Sequence, residues 1–160
     1  MSLFENNLYS WRETFFVLFD EKNRPSTEAT RQAILSIGGN YEISDLREST
    51  ADTFDAMTVI SPDDCAAMDL TFISGEEVKE HVAELKEEFS NTGLTDEERA
   101  KLETLDQYDA RFDVFHFEQL VDFSEEEDEF MDPGTVLLVL EKLAALCQGV
   151  AIDPQSSSIM

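Results

Sequence analysis

The stretch Thr14-Phe15-Phe16-Val17-Leu18-Phe19 decides the fold of this chain. It is a short, continuous run of aromatic and β-branched residues, which is typical of a strand in the middle of a sheet. A polar turn follows, and Ser26 then stands where a helix N-cap belongs. Apolar residues recur on one helical face between Ala29 and Ile37, and Gly38-Gly39 ends the pattern. The chain is therefore predicted to open with a strand followed by a helix.

Three further strands are predicted after this helix. They span residues 41–48, 54–60 and 68–73, and the last two alternate apolar and polar residues with a period of two. The sequence Ser61-Pro62-Asp63-Asp64 between them is a typical turn. Short turns between strands of this kind predict an antiparallel meander.

Two acidic helices are predicted next. Ser74-Gly-Glu-Glu77 and Thr95-Asp-Glu-Glu98 both match the capping box, in which an N-cap hydroxyl and a Glu three residues later bond reciprocally to the backbone. The first helix carries one apolar stripe, formed by Val78, Val82, Leu85 and Phe89, which is expected to face the core. The second helix is predicted to end near Tyr108.

The C-terminal part is predicted to return to the sheet. Residues 111–120 are strand-like and aromatic, and the run 124–129 is a charged loop. Asp132-Pro133 is a typical helix start, with Asp at the N-cap and Pro at the first helical position. The helix continues to Cys147, is apolar on nearly every side, and is followed by a short strand at 150–153; residues 154–158 are expected to fray.

The predicted order is thus β-α-β-β-β-α-α-β-α-β. Strand runs mixed with helices favour an α+β fold, with a largely antiparallel sheet and helices packed on one face of it. The strand–helix units at each end also allow ferredoxin-like halves. With 160 residues and 42% hydrophobic residues, we expect one folded domain over residues 1–160, with an acidic helical segment at 76–132.

Negative charge is concentrated in one part of the chain. The protein has 36 acidic and 11 basic residues, a net charge of −25, and residues 76–132 hold 21 of those acids against 5 bases. Such a charge repels nucleic acids and anionic membranes, so direct binding to either is not expected. It favours cationic partners, which are either basic proteins or metal cations, or else it serves solubility alone.

Two groups of residues are candidates for chemistry. Glu77, His81, Glu84 and Glu88 share one side of the predicted first acidic helix, where an imidazole and three carboxylates can converge on a divalent metal. The core-facing stripe is offset from them by one residue, so the alternative is a solvated acidic face. His116, between Phe115 and Phe117, is expected to be a buried structural histidine or a base assisted by Glu118.

Other features argue against several familiar classes of protein. The acidic run 125–129 lacks the spaced ligands and central Gly of an EF-hand, and no nucleophile motif or phosphate-binding loop is present in the sequence. We predict no cofactor and lean away from an enzyme. Cys65 and Cys147 are expected to be reduced thiols, and the N-terminus does not match a signal peptide, so a cytoplasmic location and no membrane span are expected.

The segment Leu143-Ala-Ala-Leu-Cys-Gln-Gly149-Val-Ala-Ile-Asp153-Pro-Gln155 resembles the C-terminal signature of some uncharacterised bacterial α+β proteins. In them an apolar helix ends at a glycine and a short strand carries Asp-Pro-Gln. Gln148 stands where those proteins often have a first glycine of a pair. The resemblance implies a helix packed on a sheet with a terminal strand, and no activity.

Four functions remain open on these grounds. The first is a non-enzymatic binding or adaptor protein whose acidic face engages a basic partner, with nucleic-acid mimicry as its sharpest form. The second is a small chaperone or immunity-type protein, for which a homodimer is expected. The third is a metal protein or enzyme that uses carboxylates with His81 or His116. The fourth is adaptation of the surface to salt.

Overall fold

The structure is a computed structural model that describes residues 9–38, 40–48, 52–62, 66–119, 134–156 and 158–159. Within these residues there are seven strands: β1 (Tyr9–Phe19), β2 (Glu42–Glu48), β3 (Phe54–Ser61), β4 (Ala66–Ser74), β5 (Ala110–Gln119), β6 (Val150–Asp153) and β7 (Ser158–Ile159). The same residues form four α-helices: α1 (Thr27–Leu35), α2 (Glu76–Ser90), α3 (Asp96–Thr104) and α4 (Gly134–Cys147). Short 3-10 turns follow β1 and α3 at Glu21–Asn23 and Leu105–Gln107.

All seven strands belong to one antiparallel sheet with the order β2-β3-β4-β5-β1-β6-β7. The α+β class and the β2–β3–β4 meander are therefore confirmed. The 14–19 stretch is confirmed as an interior strand, because β1 pairs with β5 on one side and β6 on the other. The central order β4-β5-β1-β6, in which β1 and β4 flank β5 while β5 and β6 flank β1, is compatible with the ferredoxin-like halves that the sequence allowed. β7 extends into residues that were expected to fray.

The helices do not all lie on one face of the sheet, contrary to the expectation from sequence. Successive residues of a strand point to opposite faces. On β1, Phe15, Val17 and Phe19 join a core that includes residues of α1 and α4, whereas Leu18 joins a second core that includes residues of α2 and α3. The sheet is thus covered by two pairs of helices, and we call these sides the α1–α4 side and the α2–α3 side.

The helix starts follow the predicted chemistry in two cases and depart from it in one. Ser26 caps α1 by accepting from Ala29 N, and the Thr95–Glu98 capping box of α3 is present in both directions. The capping box predicted at Ser74 is wrong, because Ser74 is the last residue of β4 and Gly75 is the N-cap of α2, without a side-chain bond. Gly75 has φ of 101°, a conformation that favours glycine.

The C-terminal helix–strand unit has the predicted form. α4 ends at Cys147, Gln148 adopts φ of 55°, and Gly149 leads into β6. Gly149 packs so closely on β1 that a Cβ placed there would lie 2.2 Å from Leu18 O. Glycine at 149 is therefore required by this contact. The predicted helix start at 132–133, the acidic run 125–129 and Cys65 lie outside the described residues.

Candidate functional site

Among the described residues, two groups that contain buried charged or histidine side chains and one exposed acidic surface are the candidates for a functional site. The first polar group, which we call the Arg111 cluster, consists of Arg111, Asp113, His81 and Phe16. The second is the pair of His116 and Glu13. The surface, which we call the acidic face, consists of the exposed acidic residues of α2, of α3 and of the 3-10 turn after α3.

The Arg111 cluster lies between β5 and α2. Arg111 and Asp113 are two residues apart on β5, so both side chains point to the α2–α3 side, where each is only 8% exposed. Arg111 Nε and Nη2 donate to the two carboxylate oxygens of Asp113 at 2.5 and 3.3 Å. The guanidinium carbon lies 5.3 Å from the centre of the Phe16 ring. The cluster is thus a bidentate, mostly buried ion pair beside an aromatic ring.

His81 completes this cluster from the helix. Its Nδ1 lies 2.9 Å from Arg111 Nη1, and its ring meets the Phe16 ring edge to face. Burial, and next the charge of Arg111, lower the pKa of His81 to about 4. His81 is therefore neutral at pH 7, and Nδ1 accepts a hydrogen bond from Arg111. This contact links a side chain of α2 to the middle of the sheet.

Asp113 has an electrostatic environment of mixed sign. Burial raises its pKa above the ordinary range, and the bonds and charge of Arg111 lower it only in part. Glu77 on α2 adds a further increase through its negative charge. The cluster therefore depends on Arg111 to keep a buried carboxylate near a helix that is itself acidic.

The four predicted metal-ligating residues do not share one environment. Glu77, Glu84 and Glu88 are exposed on α2, whereas His81 is half-buried and bonded to Arg111 through Nδ1. Within the described part of the chain, no group of three or more His, Cys, Asp or Glu residues is arranged to hold a metal ion. The metal hypothesis stays a prediction. Of the two ring nitrogens of His81, Nδ1 is bonded to Arg111, so Nε2 is the one that would serve as a ligand.

The second polar group joins β5 to β1 on the α1–α4 side. His116 is 2% exposed, and its Nδ1 lies 3.2 Å from Glu13 Oε1. Burial lowers the pKa of His116, and the bond to Glu13 opposes that effect. The expected partner, Glu118, instead accepts a hydrogen bond from Arg12 Nη1 at 3.2 Å. The arrangement is that of a buried histidine held across two strands, as one of the two sequence interpretations expected.

The described cysteine is also a buried structural group. Cys147 is fully buried in the core on the α1–α4 side, and its Sγ donates to Leu143 O at 2.9 Å. Burial raises the pKa of the Cys147 thiol to about 12. A thiol with such a pKa is a poor nucleophile at neutral pH.

The acidic face is built by the amphipathic pattern of α2. The predicted apolar stripe is confirmed, since Val78, Val82, Leu85 and Phe89 are all buried in the core of the α2–α3 side. Every acidic residue of α2 is exposed: Glu76, Glu77, Glu80, Glu84, Glu87 and Glu88. Exposed acids of α3 and the turn after it extend this surface: Asp96, Glu97, Glu103 and Asp106.

Few basic residues neutralise the acidic face. On α2, Lys79 forms an ion pair with Glu76 at 3.9 Å, and Lys86 forms one with Asp106 at 2.5 Å. Glu98 is engaged in the capping box, where the backbone N–H of Thr95 lowers its pKa. The remaining acids leave a strongly negative surface on the outside of the α2–α3 side.

A scan against protein-family models gives no match for this chain, and searches of curated proteins and of solved structures give none either. The C-terminal resemblance therefore stays a prediction. None of the helices in the described part of the chain is long and apolar enough to cross a membrane.

The structure also brings together residues that were not connected in the sequence interpretation. The ion pair of Arg111 and Asp113 has a signal in retrospect, because two opposite charges with spacing two on a predicted strand share a face. The bond between His116 and Glu13 has no local signal, since the two residues are 103 positions apart.

Proposed function

We propose that the protein is a non-enzymatic binding protein that engages a basic protein partner through the acidic face. The observation that carries this proposal is the separation of roles on α2, whose apolar stripe is buried while all six of its acids are exposed. The half-buried His81, the buried His116 and Cys147 all have partners within the fold, so each is explained by a structural role. Among the described surfaces, the acidic face is the one with a concentrated charge of a single sign.

Electrostatic complementarity explains what such a surface does. Exposed charges of one sign steer an oppositely charged protein into encounter and raise the association rate more than the final affinity. They also repel nucleic acids and acidic proteins, which gives selectivity. A basic protein is therefore the partner class that the surface favours.

The test compares two sets of charge removals with the same net effect. Glu80, Glu84 and Glu87 on α2 are changed together to Gln, and the control changes Glu21, Glu42 and Glu48, which are exposed elsewhere. Binding of a fluorescein-labelled lysine-rich peptide is followed by anisotropy at low salt. The α2 triple variant is expected to weaken binding about tenfold and the control much less. Equal weakening by both sets would show that only net charge matters and would overturn the assignment to the acidic face.

Mimicry of nucleic acid is a second candidate, supported by the arrangement of the α2 acids. Residues 76 to 88 span about 18 Å of helix, so the six exposed carboxylates are spaced at roughly 3 to 4 Å along it. That is close to the spacing of phosphate charges along one DNA strand, about 3.4 Å, and it corresponds to half the charge density of a duplex. Mimicry requires that duplex DNA compete with this protein for a DNA-binding partner. If DNA does not displace the partner, this candidate fails while the binding function stands.

A further inference from the structure

Most of the large apolar side chains that are exposed in the described part of the chain lie on α1 and α4. Leu137 and Leu138 on α4 are 42% and 46% exposed, and Leu35, the last residue of α1, is 44% exposed. Trp11, near the start of β1, is the other member of this group. Since α1 packs against α4, the three leucines belong to the outer surface of one helix pair.

The helix α4 is more apolar than its place in the fold requires. Its inner side is formed by buried residues of the core on the α1–α4 side: Val136, Val139, Leu140, Leu143 and Cys147. Its exposed side nevertheless carries Leu137, Leu138 and Ala145. A helix that is apolar all round is typical of one that is buried on every side. The core of one molecule covers α4 on one side only, so a second cover is needed to explain the leucines on the other.

The charges on this helix pair are balanced, unlike those on the opposite pair. Within the described residues, α1 carries Glu28 and Arg31, and α4 carries Glu141 and Lys142, one acid and one base on each helix. In contrast, α2, α3 and the turn after α3 carry eleven acids and four bases. The acidic face therefore attracts a basic protein and repels a second copy of this chain, whose net charge is also −25. The α1–α4 surface lacks this excess of negative charge, so a second copy can approach there.

The exposed side of α4 is also complementary to itself. Leu138, Glu141, Lys142 and Ala145 are spaced by three and four residues, so they share one side of the helix. A two-fold axis between positions 141 and 142 of two antiparallel α4 helices places each Glu141 opposite Lys142 of the second copy. The same axis places each Leu138 opposite the small side chain of Ala145. Within the described part of the chain, neither Glu141 nor Lys142 has an ion-pair partner of its own.

We infer that the protein forms a homodimer through this surface, with the two α4 helices packed antiparallel. We call the surface the leucine face, and it consists of the exposed residues Leu35, Leu137, Leu138, Glu141, Lys142 and Ala145. The inference goes beyond the proposed function and does not depend on it, because the acidic face lies on the other side of the sheet and stays free in the dimer. One helix pair from each copy is a small interface, so the dissociation constant is expected to be on the order of micromolar.

The oligomeric state tests this inference directly. Sedimentation velocity is measured at protein concentrations between about 1 and 200 μM, a range that brackets a weak dimer. The sedimentation coefficient is expected to rise with concentration from that of a monomer to that of a dimer, and no further, because a two-fold interface is closed. A monomer throughout this range, or growth beyond the dimer, would overturn the inference.

Substitutions then assign the dimer to the leucine face. The double variant Leu137→Gln with Leu138→Gln is expected to raise the dissociation constant at least about tenfold, because both apolar contacts are lost. Trp11→Gln is the matched control, since Trp11 is 48% exposed on β1, outside the leucine face, and it is expected to leave the dimer unchanged. Far-ultraviolet circular dichroism checks that each variant is folded. A dimer that the leucine variant does not weaken, or that both variants weaken equally, would overturn this location.

The charged pair tests the two-fold arrangement. Lys142→Glu places carboxylates opposite each other across the axis and is expected to weaken the dimer about threefold or more. The exchange variant Glu141→Lys with Lys142→Glu keeps both the net charge and the reciprocal pairing, so it is expected to restore the dimer. If the exchange variant is as weak as Lys142→Glu, the antiparallel arrangement is wrong.

The response to NaCl separates this inference from the proposed function. Raising NaCl from about 0.05 to 0.5 M screens the repulsion between two copies, so the dimer is expected to tighten, whereas binding of the lysine-rich peptide to the acidic face is expected to weaken. Failure of the peptide to bind, beside a dimer that depends on Leu137 and Leu138, would remove the proposed function and leave the dimer. Peptide binding that is lost in the leucine variant would place the basic partner on the leucine face and overturn a second copy as its occupant.

Discussion

The Arg111 cluster shows how strongly one residue can depend on another in a buried setting. Two charges removed from water are costly, and each compensates for the burial of the other. Arg111 has three partners of different kinds in Asp113, His81 and Phe16. Removing one charge of the pair is therefore expected to lower the free energy of unfolding more than removing both.

This asymmetry leads to a prediction for stability. Asp113→Ala is expected to lower the free energy of unfolding by about 3–5 kcal/mol, because the buried guanidinium loses its counter-charge. The double variant Arg111→Met with Asp113→Leu is expected to lose less than Asp113→Ala alone. Urea denaturation measures both, and a double variant that is the less stable of the two would refute this account.

His81 predicts a dependence of stability on pH. Its pKa falls from 6.5 to about 4 on folding, so the folded state binds fewer protons than the unfolded state between those values. Titration of His81 therefore leaves the free energy of unfolding unchanged above pH 6.5 and lowers it progressively as the pH falls from 6.5 towards 4. His116 acts in the same direction, and Asp113, whose pKa is raised, acts in the opposite one.

The measurement isolates His81 by comparison. The drop in unfolding free energy between pH 7 and pH 4 is expected to be smaller in His81→Gln than in the unsubstituted protein, by on the order of 1 kcal/mol, because half-exposure screens the shift. Carboxylates titrate in both proteins and cancel to first order. An equal drop in both would show that His81 does not couple to folding.

Gln148 is a residue with an unfavourable backbone conformation. It adopts φ of 55° after α4, in the left-handed region where a side chain costs about 1–2 kcal/mol and where helices commonly end with glycine. Since Gln148 is exposed, Gln148→Gly is expected to stabilise the protein by about 0.5–1 kcal/mol. Gly149→Ala, next to it, is expected to destabilise because of the close approach to Leu18 O. Thermal unfolding of the two variants would shift in opposite directions.

At the level of elements, α2 and α3 are preceded by similar sequences, but their N-termini are capped in different ways. Thr95 makes a reciprocal capping box with Glu98, whereas Ser74 is committed to the β4–β5 ladder, where it pairs with Ala110. α2 begins at Gly75, whose N–H donates to Asp109 O at 2.9 Å. Pairing with β5 thus places Ser74 in a strand, although its local sequence predicts that it caps a helix.

This difference predicts unequal effects of two matched substitutions. Thr95→Ala is expected to cost about 1 kcal/mol, the usual value of a lost N-cap. Ser74→Ala is expected to change the unfolding free energy by less than about 0.5 kcal/mol, since its hydroxyl caps nothing. Chemical denaturation of both variants decides the point, and a larger loss for Ser74→Ala would restore the capping box predicted there.

At the level of the whole molecule, the net charge of −25 opposes compaction. Added salt shortens the Debye length from about 30 Å at 0.01 M to about 3 Å at 1 M and screens this repulsion. The melting temperature is therefore expected to rise by several degrees over that range of NaCl. The triple variant Glu80→Gln, Glu84→Gln, Glu87→Gln is expected to show a smaller rise, and a melting temperature that does not respond to NaCl would contradict repulsion as a significant term.

Much of this protein is determined by its sequence alone. The order of elements up to β6, the interior strand β1, the apolar stripe of α2 and the glycine that ends α4 all follow from local patterns, because periodicity and capping chemistry act over a few residues. The excess of acid in α2 and α3 is visible in the same way. These signals are sufficient for an α+β fold with an acidic helical surface.

The tertiary structure decided what depends on distant residues. Which face of the sheet each helix covers, the start of α2 at Gly75, the partner of His116 and the contact of His81 with Arg111 all arise from pairing between strands far apart in the chain. The bulge at Arg12 is the clearest case, because a single extra residue on β1 turns Trp11 to the other face, and only the register with β5 shows that it is there. Local sequence sets the pattern of side chains along each strand, and pairing sets the face on which they act.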